Sequence, residues 1–132
     1  MTDPHFSHTK LVVEDLERSA SFYGAALGLQ EFGRADAEMN GRPGTEVMFA
    51  PTGDGGPMFV LVKFHDEARP SHSDVLLGFR TSDLEALCAD IESAGGRITE
   101  PILLVAEHGV KVAFATDVEG NVLELLQLLE ES

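Results

Sequence analysis

The chain has 132 residues, enough for one domain but not for two independent cores. Its 23 acidic residues against 9 basic ones give a formal charge of −14, which excludes nucleic acid as a partner and argues against an anionic membrane surface. A single cysteine, Cys88, rules out an intrachain disulfide and fits a cytoplasmic setting. No apolar run reaches membrane-spanning length, and Met1–Ser7 lacks the basic and apolar regions of a secretory leader.

In chain order, Phe6–Val13 alternates as a strand, with His8, Lys10 and Val12 on one face and Thr9, Leu11 and Val13 on the other. Asp15 is placed to cap a helix from Leu16 to about Leu27. Leu16, Ala20, Tyr23 and Leu27 form its apolar stripe and Gly28 its stop. Leu29–Arg34 reads as a strand, Ala35–Thr45 as a polar loop, Glu46–Ala50 as a short strand and Pro51–Pro57 as a turn. Met58–Phe64 is a strongly apolar strand. Charged residues and Pro70 make 65–73 the candidate linker.

The pattern then restarts. Val75–Arg80 is a strand. Ser82 and Glu85 match a capping box. Leu84, Leu87, Cys88 and Ile91 form the next helical stripe, which places Cys88 in the core, and Gly95 and Gly96 end the helix. Strands are expected at Arg97–Thr99, Ile102–Val105, Val110–Ala115 and Val122–Leu128, with a tight turn over Asp117, Glu119, Gly120 and Asn121.

The halves repeat. Asp15-Leu16-Glu17 matches Asp83-Leu84-Glu85 at an offset of 68, which also carries Gly28 onto Gly96. Gly56-Pro57-Met58 matches Gly120-Asn121-Val122 at 64, so a four-residue loop deletion is expected between the halves. Such a long period implies two similar supersecondary units, each too small to be stable alone.

Several stretches carry a family resemblance. They are Phe6-Ser7-His8-Thr9, Val13-Glu14-Asp15-Leu16-Glu17-Arg18-Ser19, Phe22-Tyr23, Leu27-Gly28-Leu29, and Asp117-Val118-Glu119-Gly120-Asn121-Val122-Leu123-Glu124-Leu125. Over essentially its whole length the chain resembles the vicinal oxygen chelate superfamily of glyoxalases, bleomycin-resistance proteins and extradiol dioxygenases. It departs at Val118, where the family usually has proline. The resemblance implies an α+β fold of two βαβββ modules (5–64 and 74–129) forming a curled mixed sheet around a cavity, with helices outside. It also implies a homodimer and a divalent transition metal that polarises vicinal oxygens of a small-molecule ligand.

Mapped onto the family's four metal positions, His8 and Glu124 match, while Leu76 and Val60 occupy the other two and cannot bind metal. Asp74 is a candidate substitute, and so is His72, because alternation places both on Leu76's face. His65 and His108 are further imidazoles without family support. The two-histidine, one-carboxylate triad of the dioxygenases is not matched. Glu124 interrupts an apolar run, where a carboxylate costs several kcal/mol unless compensated, and it is the candidate general base. Lys10 and Lys63 stand on otherwise apolar strands and are candidates for binding an anionic group of the substrate, snorkelling being the alternative.

Three functions follow. One is a glyoxalase I-like lyase or isomerase in which Glu124 abstracts a proton beside a carbonyl and His8, with or without metal, holds the enediolate oxygen. The next is a metal-free sequestering protein of the bleomycin-resistance type. For that role the absence of Trp and the single Tyr limit stacking surface. The last is a scaffold or accessory subunit.

Overall fold

The computed structural model describes residues 8–39, 41–53, 56–66 and 75–129. In chain order the elements are β1 (His8–Val12), α1 (Leu16–Leu27), β2 (Glu31–Met39), β3 (Arg42–Phe49), β4 (Met58–Phe64), β5 (Leu76–Arg80), α2 (Leu84–Ser93), β6 (Arg97–Val105), β7 (Val110–Thr116) and β8 (Val122–Leu128). A 3-10 turn covers Ala106–His108. The class is α+β, and the βαβββ order occurs twice, as expected. Each copy builds an open, mixed, four-stranded sheet, ordered β1-β4-β3-β2 in the first and β5-β8-β7-β6 in the second.

The repeat holds at the level of strand register. His8 pairs with Met58 in the parallel β1–β4 ladder, and Leu76 pairs with Val122 in the parallel β5–β8 ladder. Those are the partners that the offsets of 68 and 64 connect. The helix caps repeat too. Asp15 Oδ1 accepts the Arg18 N–H at 3.0 Å, and Asp83 Oδ1 accepts the Ala86 N–H at 3.1 Å. Asp83 is thus the cap of α2, and the expected Ser82–Glu85 box is not the device used: a carboxylate accepts an amide proton more strongly than a hydroxyl does.

The length difference is not one four-residue deletion. Met48 pairs with Val60 and Phe114 pairs with Glu124, so the offset across β3 and β7 is 66 (114 − 48). Two residues are lost in the β2–β3 connection, where Ala37 pairs with Gly44 but Val105 pairs with Val110, and two more in the connection to the last strand.

Two other expectations change. The polar stretch 35–45 is not a loop. β2 and β3 continue as a hairpin, with Asp36 opposite Thr45 and Met39 opposite Arg42. Backbone pairing carries this hairpin rather than apolar burial. Thr45 Oγ1 adds a cross-strand bond to Asp36 at 2.7 Å, and the Pro43 carbonyl accepts the His65 N–H at 2.9 Å. Likewise β6 runs unbroken through Pro101. The ladder slips between Glu100 and Leu103, and that irregularity takes in the residue that cannot donate an N–H.

The chain packs as two compact units. One comprises β1, the start of α1 up to Ala20, and β2–β4. The other takes Ser21–Leu27 together with β5–β8 and α2. Most of the first helix therefore belongs with the second sheet. The core of the second unit shows why. Phe22 and Tyr23 are fully buried and meet edge to face, with ring centroids 5.2 Å apart, and Tyr23 also lies 6.5 Å from the Phe79 ring. Leu84, Ile91, Ala113, Ala115, Leu123 and Leu125 complete this core. In the first unit Val13, Val47, Phe49, Val60, Leu61 and Val62 do the same work.

The paired glycines at the helix ends have different reasons to be glycine. Gly28 adopts φ +67 with open space around it, so its role is the left-handed turn. In the second module that role falls to Gly95, at φ +99. Gly96 is small because a Cβ there would lie 2.7 Å from Ile91 Cγ2, 2.7 Å from the Thr116 carbonyl oxygen and 2.8 Å from Phe22 Cε1.

Candidate functional site

Strand pairing sorts the side chains of each sheet by face. In the first unit, His8, Lys10 and Val12 share a face with Met58, Val60 and Val62 of β4 and with Glu46 and Met48 of β3. His8 is exposed at the start of β1. Lys10 stands opposite Val60, and its Nζ donates to Glu46 Oε1. Because β4 lies between β1 and β3, this side chain crosses over the β4 surface at Val60 and Val62. Glu46 is 8 % exposed, and its side chain is placed among apolar neighbours where an uncompensated carboxylate would cost several kcal/mol. Lys10 offsets that cost.

Glu46 was not singled out from the sequence. Its signal was available: an acidic residue directly before Val47-Met48-Phe49, in phase with Met48. What hid it was reading the strand as starting at Glu46, which made the carboxylate look terminal and solvated. Lys63, the other lysine candidate, is paired with Thr45 and so lies on the opposite face from Lys10.

In the second unit, Glu124 sits mid-strand on β8, flanked by Gly78 on β5 and Phe114 on β7. It is half-buried. A Cβ at Gly78 would meet nothing within 4 Å, so the glycine leaves room beside the carboxylate. Apolar side chains surround the pair on that face, with Leu76, Val112, Val122 and Leu126 nearby, while Arg80 and Glu100 lie further out on it. Leu76 is 55 % exposed, and Leu103, Val122 and Leu128 on the same face are exposed as well. The helix side is the other face, where Leu123, Leu125 and Phe79 lie with Tyr23.

The β7–β8 turn that precedes β8 is organised by one carboxylate. Asp117, 3 % exposed, accepts four hydrogen bonds. Oδ1 takes the Glu119 and Asn121 N–H groups at 2.9 Å each. Oδ2 takes the Tyr23 hydroxyl at 2.7 Å and the Asn121 side-chain amide at 2.9 Å. Burial, reinforced by the Asp117 carboxylate, pushes the Tyr23 phenol far above its ordinary value, so it remains a donor at any working pH. The sequence marked this turn only for its turn chemistry, because nothing local signals that a tyrosine from the first helix would reach it.

These features agree with what comparison shows. The model of the Glyoxalase/Bleomycin resistance protein/Dioxygenase superfamily matches residues 5–125. The chain belongs to this superfamily. A probable lactoylglutathione lyase of Vibrio parahaemolyticus is 26 % identical over 133 residues, covering 96 % of this chain and 93 % of that protein. Among solved structures, a glyoxalase family protein from Bacillus cereus superposes with a TM-score of 0.80 at 19 % identity, covering 98 % of this chain and 97 % of that one. Glyoxalase I from Leishmania major gives 0.74 at 22 % identity, covering 95 % and 87 %.

Superfamily members typically use a divalent metal. The donor set of this member does not match a full site. The register confirms that Leu76 takes the position corresponding to His8 and Val60 the position corresponding to Glu124. Among the described residues no group of three or more His, Cys, Asp and Glu side chains stands close enough to hold an ion. Asp74 and His72, the candidate substitutes, lie outside the described residues. His65 Nε2 is 2.8 Å from Thr45 Oγ1, on the face of the first sheet opposite Lys10. His108 is exposed in the 3-10 turn. Cys88 is partly buried on α2, and burial raises its thiol above the usual range, which makes it inert rather than nucleophilic. No helix among the described residues is long and apolar enough to cross a membrane.

Proposed function

We propose that this superfamily member binds a small carbonyl or vicinal-oxygen compound and shifts a proton on it, a lyase- or isomerase-type reaction. Glu124 takes the proton from the carbon beside a carbonyl. The C–H electrons form a C=C bond and charge moves onto the carbonyl oxygen; the protonated Glu124 then returns its proton to the former carbonyl carbon, while a hydroxyl on the first carbon becomes the new carbonyl and its proton passes to the oxyanion. The observation that carries this reading is Glu124 itself: a half-buried carboxylate in mid-strand between Gly78 and Phe114, with Gly78 leaving space beside it. The name of the Vibrio relative supports the reaction type.

The test is turnover of 2-oxoaldehyde–thiol adducts, followed by deuterium exchange at the reacting carbon. Glu124→Gln, which keeps the shape, is expected to lower kcat by about 10²–10⁴-fold with the fold unchanged. Wild-type turnover that survives this substitution would refute the role of Glu124.

A metal-free sequestering role, of the bleomycin-resistance type, is favoured by a different observation: Leu76, Leu103, Val122 and Leu128 expose apolar surface on the Glu124 face. Tight ligand binding without exchange would select it. We place the protein in the cytoplasm as a homodimer in either role, in keeping with superfamily members, which often dimerise.

A further inference from the structure

We propose that the first module carries a carboxylate-binding site built on Lys10 and positioned by Glu46, and that it takes a small monocarboxylate with a short apolar skeleton. This goes beyond the reading above and gives the first unit a ligand site of its own. Four observations support it.

The fold does not need the Lys10–Glu46 pair. Register places Gly78 where Lys10 would be and Val112 where Glu46 would be, so the second sheet has the same pairing without either charge. A partly buried ion pair is also a poor way to stabilise a sheet face compared with apolar side chains.

The pair is placed to receive a ligand. Lys10 crosses over Val60, the position at which metal-holding relatives keep a carboxylate, so this module presents a resident cation there. The Lys10 side chain remains 37 % exposed. His8 lies two residues away on the same strand face, about 7 Å along it.

The ligand's charge follows from what surrounds the ammonium. A lysine is a compact point charge that one ligand oxygen can satisfy. The net charge of −14 repels a second negative charge.

The ligand's skeleton follows from the floor of the site. Val60, Val62 and Met48 share the face, so the atoms beyond the carboxylate meet aliphatic side chains.

The experiment compares 2-oxobutanoate with its methyl ester, by calorimetric titration and thermal shift, on the full chain. Wild type is expected to bind the acid about tenfold more tightly than the ester. Lys10→Met removes that preference and Lys10→Arg restores part of it. Glu46→Gln weakens acid binding severalfold while ester binding stays the same. Because Lys10→Met alone leaves Glu46 without its cation, the double variant Lys10→Met/Glu46→Val is the folding control, copying the second module's apolar solution. It is expected to melt no lower than wild type and to show no preference. Equal binding of acid and ester by wild type, or a preference that persists in the double variant, would overturn the proposal. Acid binding is read without turnover. A failure here therefore stands apart from a failure of Glu124 in exchange, and either can occur alone.

Discussion

The two modules are the same backbone carrying opposite charges. In the first, Lys10 faces Val60, and Glu46 lies one strand further on. In the second, Gly78 faces Glu124, and Val112 takes the place of Glu46. Strand order, register and helix capping are shared, so none of them depends on which of these residues is present. Residues that vary while the framework repeats are free to serve a ligand. Residues that repeat, or that replace one packing solution by another, serve the fold.

That division can be challenged by substitution. The largest loss of stability is expected at Asp117, which has no acidic counterpart among the described residues of the β3–β4 connection. Asp117→Ala strands the Tyr23 hydroxyl, the Asn121 amide and two backbone donors, and should cost roughly 3–5 kcal/mol in urea unfolding. A loss below about 1 kcal/mol would mean that water replaces the carboxylate freely.

The aligned glycines come next. Gly96→Ala forces a Cβ against Ile91, Thr116 and Phe22 and should cost about 3 kcal/mol. Gly28→Ala meets only its left-handed backbone and should cost about 1 kcal/mol. Equal costs would show that the two ends use one mechanism after all.

Lys10→Met should then destabilise by about 2 kcal/mol, since it leaves Glu46 nearly buried without its cation. Adding Glu46→Val should recover most of that loss. If the double variant stays as unstable as the single one, the pair supports the fold rather than a ligand.

Tyr23→Phe should cost about 1–2 kcal/mol near neutral pH. Its signature is in alkali. The folded phenol titrates far above its ordinary 10.0, so the wild type keeps the full benefit below about pH 10 and loses it as pH rises further, by about 1.4 kcal/mol per unit. The phenylalanine variant should lack that alkaline decline, as pH-jump unfolding would show.

Much of this molecule was readable in advance, for local reasons. Helix α1, strand β4 and strand β8 are marked by periodicity and by Gly or Asp punctuation, and they fall at or next to their expected limits. The repeat was legible because Asp15 and Asp83 perform the same local task. What was hidden depends on neighbours distant in sequence. The β2–β3 hairpin lacks an apolar pattern, because it is held by cross-strand backbone bonds. Glu46 gains meaning only when Lys10, 36 residues earlier, reaches it. His8, Glu124, Leu76 and Val60 were placed correctly relative to one another in register, because an internal repeat acts as its own alignment.

The division of α1 between the two units has a consequence for how the chain can be cut. Residues Ser21–Leu27 pack with the second sheet, although they are joined in sequence to the first. Proteolysis between residues 64 and 76 would therefore not free two self-sufficient halves. The C-terminal fragment would leave without Phe22 against Gly96 and without the Tyr23 hydroxyl at Asp117, while the N-terminal fragment would carry away a helix whose buried side belongs elsewhere. A nicked molecule should stay associated and melt as one cooperative body, and the separated fragments should regain structure only when mixed. The boundary of the sequence repeat is not the seam along which the protein comes apart.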